Sequence, residues 1–201
     1  LDVGFMRVTK EATDAGIAKD FPVLEKWKHR MSGLCRIEPG RVDDTLAHMN
    51  RCIRDGPCIG FKTGNYHQGP ISVAHRNFDP IVRLAAELGA VIYIHCAFQV
   101  GGNPRRYDGG NGPSESSPRD VAALAARFPD VKMICGHQGT DWELGIRQIR
   151  PHKNVYMEFS GWPPESGSVD FAVQELGVDR LVWGCHAPSR SFSNALSQIY
   201  D

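Results

Sequence analysis

No apolar run in this sequence approaches the ~20 residues needed to cross a bilayer; stretches such as Leu181–Gly184 and Val91–Ile94 are only a few residues long. No charge of one sign predominates: 23 Lys and Arg offset 23 Asp and Glu, which leaves no net field to hold a polyanion. Basic runs interleaved with aromatics, the footprint of nucleic-acid binders, are missing as well. A small molecule is therefore the expected partner, with no nucleic acid and no membrane. The start of the chain lacks a basic segment followed by an apolar one, so a soluble, cytoplasmic protein is expected. There is no Cys-x-x-Cys, and four of the six cysteines lie in or beside apolar strand-like runs. They are expected to be free thiols in a reducing compartment, behaving as small buried hydrophobes. Nor is there a short-period repeat or a low-complexity linker, so residues 1–201 are expected to form a single domain with a real core.

What the sequence does contain is an alternation of short apolar runs with longer helical patterns, the signature of repeated βα units around a parallel sheet. Strands are expected at Met31–Ile37, Cys58–Thr63, Ala90–His95, Val131–His137, Val155–Ser160 and Leu181–His186. Helices are expected at Arg41–Arg54, Asn77–Leu88, Ser117–Phe128, Trp142–Arg150 and Ser168–Leu176. Asp79-Pro80 and Ser117-Pro118 resemble N-cap and N1 pairs, and Gly89 and Gly177 resemble helix stops. Nearer the start, Val3–Val8 offers a strand and Thr13–Trp27 an amphipathic helix.

Each strand ends in residues that are costly to bury and useful to expose: Lys62, His95, His137, Glu158 with Ser160, and His186. The carboxyl ends of parallel strands are where α/β barrels and open α/β sheets place their sites, which points to an enzyme. The Gly- and Pro-rich segment Gly101–Pro118, directly after the His95 strand, has the character of a substrate-covering loop.

The segments Val91–Cys96 (VIYIHC), Lys132–Gly139 (KMICGHQG) and Leu181–Phe192 (LVWGCHAPSRSF) resemble the fifth, sixth and eighth strand ends of the amidohydrolase-related, metal-dependent hydrolase family, in the branch that includes aminocarboxymuconate-semialdehyde decarboxylase-like proteins. The resemblance runs from about Met31 to Asp201. It implies an α/β fold of the TIM-type (β/α)8 barrel, apparently incomplete at the N-terminal end and lacking the first βα unit. The chain is then either a piece of a longer enzyme, the favoured alternative because an open seam exposes two strand edges, or a short form. The resemblance also implies a divalent metal, zinc by expectation, with His95 as a metal ligand and His137 as the acid/base.

Two departures from the family pattern stand out. No His-x-His occurs anywhere in the chain, and Gly184-Cys185-His186 stands where the family has Gly-Ser-Asp. His186, a candidate for both metal binding and catalysis, is thus a replacement ligand, a neutral hydrogen-bond donor behind the ligands or an inactivating change, and the metal is expected to be weakly held or absent. Neutral imidazole suits zinc and titrates in the range of general acid–base work, but it supplies no carboxylate. Lys62, Tyr66, His67 and Arg190 are candidate substrate-binding residues. Lys62 has further alternatives, as a carboxylated metal-bridging lysine, as a cap on the barrel mouth or as a partner of Glu158. Arg105, Arg106 and Arg190 each offer a guanidinium fork for a carboxylate, against the simpler role of surface charge.

The expected activity is hydrolysis of a small carbonyl or carboxylate compound by metal-activated water. A non-hydrolytic decarboxylase on the same scaffold and a catalytically inactive barrel serving as a binding module are the alternatives. Barrels of this kind are often paired, which implies a homodimer.

Overall fold

The computed structural model describes residues 2–6, 9–63, 71–96, 115–139, 141–160, 167–188 and 190–200. Seven strands alternate with seven helices. The strands are β1 (Asp2–Phe5), β2 (Gly33–Arg36), β3 (Cys58–Thr63), β4 (Val91–His95), β5 (Met133–Gly136), β6 (Val155–Glu158) and β7 (Leu181–Val182). The helices are α1 (Lys10–Trp27), α2 (Val42–Met49), α3 (Phe78–Glu87), α4 (Pro118–Arg127), α5 (Trp142–Ile149), α6 (Ser168–Leu176) and α7 (Phe192–Tyr200). All strand pairs are parallel and their spatial order is the chain order, β1 to β7. Right-handed crossovers in a monotonic order place every helix on the same side of the sheet, and the sheet curls with its other side inward, as in an α/β barrel. Among the described residues β7 does not pair with β1, so the sheet is open.

Parallel pairing sorts the side chains into rows. Phe61 of β3 sits beside Ile92 of β4, and Thr63, Ile94, Cys135 and Met157 lie side by side across four strands. These residues are buried and face the helices, with Phe61 edge-on to Phe78 of α3 at 6.2 Å between ring centres. Ile81, Val82, Val121, Leu124, Ile146, Ile149 and Ala172 supply the helical half of the core. The alternate row, Arg36, Lys62, Tyr93, Ile134 and Tyr156, faces the inside of the curl. One period-2 alternation thus separates a hydrophobic layer from a polar interior.

Local signals account for several boundaries. Ser117 caps α4 through a reciprocal box, in which its hydroxyl accepts from the Asp120 N–H at 3.3 Å and the Asp120 carboxylate accepts from the Ser117 N–H at 2.8 Å, with Pro118 at the first helical position. Gly89 follows α3 with φ +61 and Gly177 ends α6 with φ +84.

Three expectations need correction. Helix α3 starts at Phe78, so Asp79-Pro80 lies inside its first turn. The Asp79 carboxylate does not cap the helix but binds Arg127 of α4, at 3.0 Å from Nε, and Arg76. The expected helix Arg41–Arg54 is α-helical only to Met49 and then widens into a π-helical stretch, Asn50–Arg54. The last strand, expected over Leu181–His186, pairs only at Leu181 and Val182, because its neighbour β6 stops at Glu158. No helix among the described residues is long and apolar enough to cross a membrane. All six cysteines are free thiols.

Arg180 ties the last βα unit to the one before it. Its buried guanidinium donates to four backbone carbonyls: Val155 at 2.9 Å, Arg150 at 3.2 Å, Ile149 at 3.1 Å and His152 at 2.8 Å. Ile149 and Arg150 lie at the C-terminal end of α5, where carbonyls lack intrahelical partners and a cation is favoured. Arg180→Met should cost about 1–3 kcal/mol of unfolding free energy, since the guanidinium's hydrogen bonds are lost together while the Ile149 and His152 carbonyls keep the His152 and Val155 N–H groups as donors. Arg180→Lys should recover only part of that, because one ammonium cannot span the fork. Urea denaturation of the two variants measures both.

Candidate active site

The residues on the inner face converge at the carboxyl ends of β4 to β7. His95 ends β4 and pairs in register with Gly136 of β5. His137 follows β5 immediately, and the ring centres of His95 and His137 are 4.5 Å apart. The His137 and His186 ring centres are 5.0 Å apart. The structure therefore brings His95, His137 and His186 into one cluster at one end of the sheet. His137 and His186 both occupy left-handed backbone, with φ +62 and +55. Such conformations cost non-glycine residues roughly 1–3 kcal/mol and are kept only where the surroundings impose them.

Beneath the imidazoles lies Glu158, the last residue of β6 and itself buried. Its Oε2 accepts from the Tyr93 hydroxyl at 2.7 Å and from the His137 backbone N–H at 3.0 Å, and lies 3.7 Å from His137 Nδ1. Two glycines make this possible. A Cβ on Gly136 would meet the Tyr93 hydroxyl at 2.5 Å, and one on Gly184 would fall on Glu158 Oε1. Tyr93 thus crosses over β5 to reach β6 because β5 presents only hydrogen there.

His137 is oriented from the opposite side. Its Nδ1 is 2.9 Å from the Ser160 carbonyl and 3.0 Å from the Ser160 hydroxyl. A carbonyl only accepts, so Nδ1 carries the hydrogen and Nε2 carries the lone pair. That Nε2 is buried without a hydrogen-bond partner. Burial, more than any neighbour, lowers the His137 pKa to about 4, partly opposed by the Glu158 charge. Burial likewise pushes His95 well below the ordinary imidazole value, assisted by neighbouring His137 and by the positive charges of Lys62 and Arg36. Both rings are neutral at neutral pH.

Lys62 places its ammonium over the Tyr93 ring at 4.8 Å from the centre, so it lies on the inner face with the cluster. Arg36, buried, stands beside it in the same row. Arg190 is exposed, and its backbone N–H donates to the His186 carbonyl at 3.2 Å. Tyr66, His67, Arg105 and Arg106 lie outside the described residues.

The donor chemistry fits a divalent ion in kind: His95 offers a neutral imidazole, His186 is within ring contact of the cluster, and the orphaned His137 Nε2 adds a lone pair. It is sparse in number. Among the described residues, the one group of three His, Cys, Asp or Glu ligand atoms lying within 4.8 Å of one another is not here but at Cys35, His48 and Cys52.

Tyr93 and Arg36 were not singled out from the sequence, although a signal existed. Tyr93 is two residues before His95 and Arg36 interrupts an apolar strand, so period-2 alternation puts each on the inner face. The role of Glu158 as partner of Tyr93 and His137 had no such signal, because both contacts bridge different strands.

Comparison with known proteins gives a match of the amidohydrolase family model to residues 7–199. No curated protein sequence matches. Among solved structures, 2,6-dihydroxybenzoate decarboxylase from Rhizobium is similar at 17% identity and a TM-score of 0.66, over 95% of this chain and 72% of that one. 5-Carboxyvanillate decarboxylase from Sphingomonas paucimobilis is similar at 16% identity and a TM-score of 0.71, over 94% and 66%. A dihydroxybenzoic acid decarboxylase from Polaromonas sp. JS666, solved with manganese and the inhibitor 2-nitroresorcinol, is similar at 16% identity and a TM-score of 0.66, over 98% and 72%. At these identities the likeness is one of fold.

The depressed His137 pKa makes stability pH-dependent. The unfolded chain takes up this proton near pH 6.5 and the folded chain only near pH 4, so the unfolded state binds more protons between those values. Stability from this group is intact above pH 6.5 and should fall by about 3 kcal/mol as the pH drops toward 4. His137→Gln, which does not titrate, should flatten the slope of unfolding free energy against pH, leaving the part of the same sign due to His95. An unchanged slope would show that His137 is already protonated in the folded protein.

Proposed function

This chain belongs to the amidohydrolase family, and we propose that it is a hydrolase of that family in which His137 takes a proton from water attacking a small carbonyl-bearing carboxylate compound. The observation that carries this reading is the buried, unpartnered Nε2 of an imidazole whose other nitrogen is fixed on Ser160. A neutral ring with a fixed tautomer presents a lone pair to the interior, and no group among the described residues consumes it. As the water oxygen bonds to the carbonyl carbon, its proton passes to Nε2. Glu158, 3.7 Å from Nδ1, stabilises the imidazolium that forms. The same proton then leaves for the departing oxygen or nitrogen as the scissile bond breaks, returning the ring to its starting form.

Arg36 and Lys62 supply positive charge on the same inner face, which suits a substrate carboxylate. His95 and His186 are the residues that would hold a divalent ion, zinc or manganese, and an ion bound there would polarise the carbonyl oxygen. The absence of a carboxylate at 186 leaves proton transfer to His137. A second reading, decarboxylation without water, is favoured by the fold likeness to enzymes named as decarboxylases of hydroxylated benzoates. A third, a barrel that binds without turning over, follows from the missing His-x-His.

One assay separates the three. The full chain, supplied with zinc or manganese, is offered aryl esters, lactones and hydroxybenzoates in isotopically labelled water. Hydrolysis incorporates labelled oxygen into the carboxylate product and should fall on the order of 10²- to 10⁴-fold in kcat in His137→Gln, with KM little changed. Release of carbon dioxide without label would move the assignment to decarboxylation. Ligand binding without turnover would leave the binding module as the account.

A further inference from the structure

The cysteines expected to be inert apolar filler include a group on the other face of the sheet with a different character. Cys35 lies on β2, and the one-residue slip between β2 and β3 decides what meets it. Gly33 pairs with Cys58 but Leu34 pairs with Gly60, so β3 carries an extra residue at Ile59. Such a bulge reverses the alternation. Cys58 is therefore turned to the same helix-facing side as Cys35, although it is an even number of residues from the inward Lys62. Opposite them, His48 near the end of α2 and Cys52 in the π-helical stretch are four residues apart and share a helix face. All four residues are buried.

The distances are those of a ligand set. Sγ of Cys35, Sγ of Cys52 and a ring nitrogen of His48 all lie within 4.8 Å of one another, and Cys52 Sγ is 3.4 Å from His48 Nε2. Tetrahedral zinc with Zn–S bonds of about 2.3 Å sets its sulfurs about 3.8 Å apart. Only a small closure is required. The thiols are also unequal. Hydrogen bonding from Cys35, followed by His48, lowers the Cys52 pKa to about 6, while Cys35 is held well above its ordinary value by Cys52 and Cys58. A cation that binds here takes the place of the thiol protons, which are released to solvent.

We propose that Cys35, Cys52 and His48 form a binding site for a soft divalent cation, zinc in particular, between the sheet and the segment α2 to Arg54, on the helix-facing side of the sheet, with Cys58 beside Cys35. Two thiolates and an imidazole are donors of the zinc type, and the fourth position falls to Cys58, by a shift of its thiol, or to water. A cavity of about 300 Å³ lies against the His48 side of the cluster, its lining including Lys10, Asp14, Arg41, Asp44 and Arg51. A bound ion ties α2 to β2 and β3, fixing the early βα units next to the open edge at β1.

Cobalt substitution tests this on the full chain. Reduced, chelator-stripped protein is titrated with cobalt(II) under anaerobic conditions. We expect thiolate-to-cobalt charge-transfer absorption to saturate at one equivalent in excess of any cobalt held at His95 and His186, to be displaced by zinc, and to need at least tenfold more cobalt in Cys35→Ser and in Cys52→Ser but no more in His95→Ala. X-ray absorption of the zinc-loaded, unmutated protein guards against variants that fail to fold, and should show sulfur neighbours at about 2.3 Å. Zinc with only nitrogen and oxygen neighbours, no charge-transfer absorption, or absorption unaffected by both cysteine substitutions would overturn the proposal. So would a fully reduced protein that binds no cobalt.

Discussion

Glu158 places a carboxylate in a buried position at the end of β6, where an unsupported charge would cost several kcal/mol. Two donors offset that cost, the Tyr93 hydroxyl and the His137 backbone N–H, each worth roughly 1.5–3 kcal/mol to a charged acceptor. The arrangement then constrains much else. The N–H of His137 points at Glu158 only while His137 holds its left-handed backbone, and that backbone delivers the ring to Ser160 and sets it against the rings of His95 and His186. Gly136 and Gly184 are the empty spaces that let the tyrosine and the carboxylate meet.

The two faces of the sheet do different chemistry for one geometric reason. Paired residues of parallel strands share a face, so each row is uniform across the strands. The inner rows collect Arg36, Lys62, Tyr93, His95 and Glu158; the outer rows collect Phe61, Ile92, Ile94 and Met157. The outer rows pack against helices and carry the stability. The β2–β3 bulge breaks that uniformity at one place, and there three thiols and an imidazole meet.

Seven strands in monotonic order, with helices between them, match an amidohydrolase barrel over nearly the whole chain. The open pairing between β7 and β1 concerns the edges of the sheet. The imidazole and carboxylate part of the site is built from β4 to β7, with Lys62 on β3 and Arg36 on β2 beside it, and the hydrogen bonds of Glu158 and His137 do not pass through β1 or α1.

The sequence by itself determined the alternation of strands and helices, the helix stops at Gly89 and Gly177, the cap at Ser117 and the candidacy of His95, His137 and His186. These are local properties: apolar periodicity, turn chemistry and a polar residue closing an apolar run act within a few residues of chain. Tertiary structure alone decided that Glu158 joins Tyr93 across an intervening strand, that Arg180 gathers four carbonyls, that the last strand stops at Val182, and that Cys58 turns to meet Cys35. Each of these depends on register between segments 20 or more residues apart, and a one-residue slip, invisible in composition or spacing, reverses which face a side chain occupies.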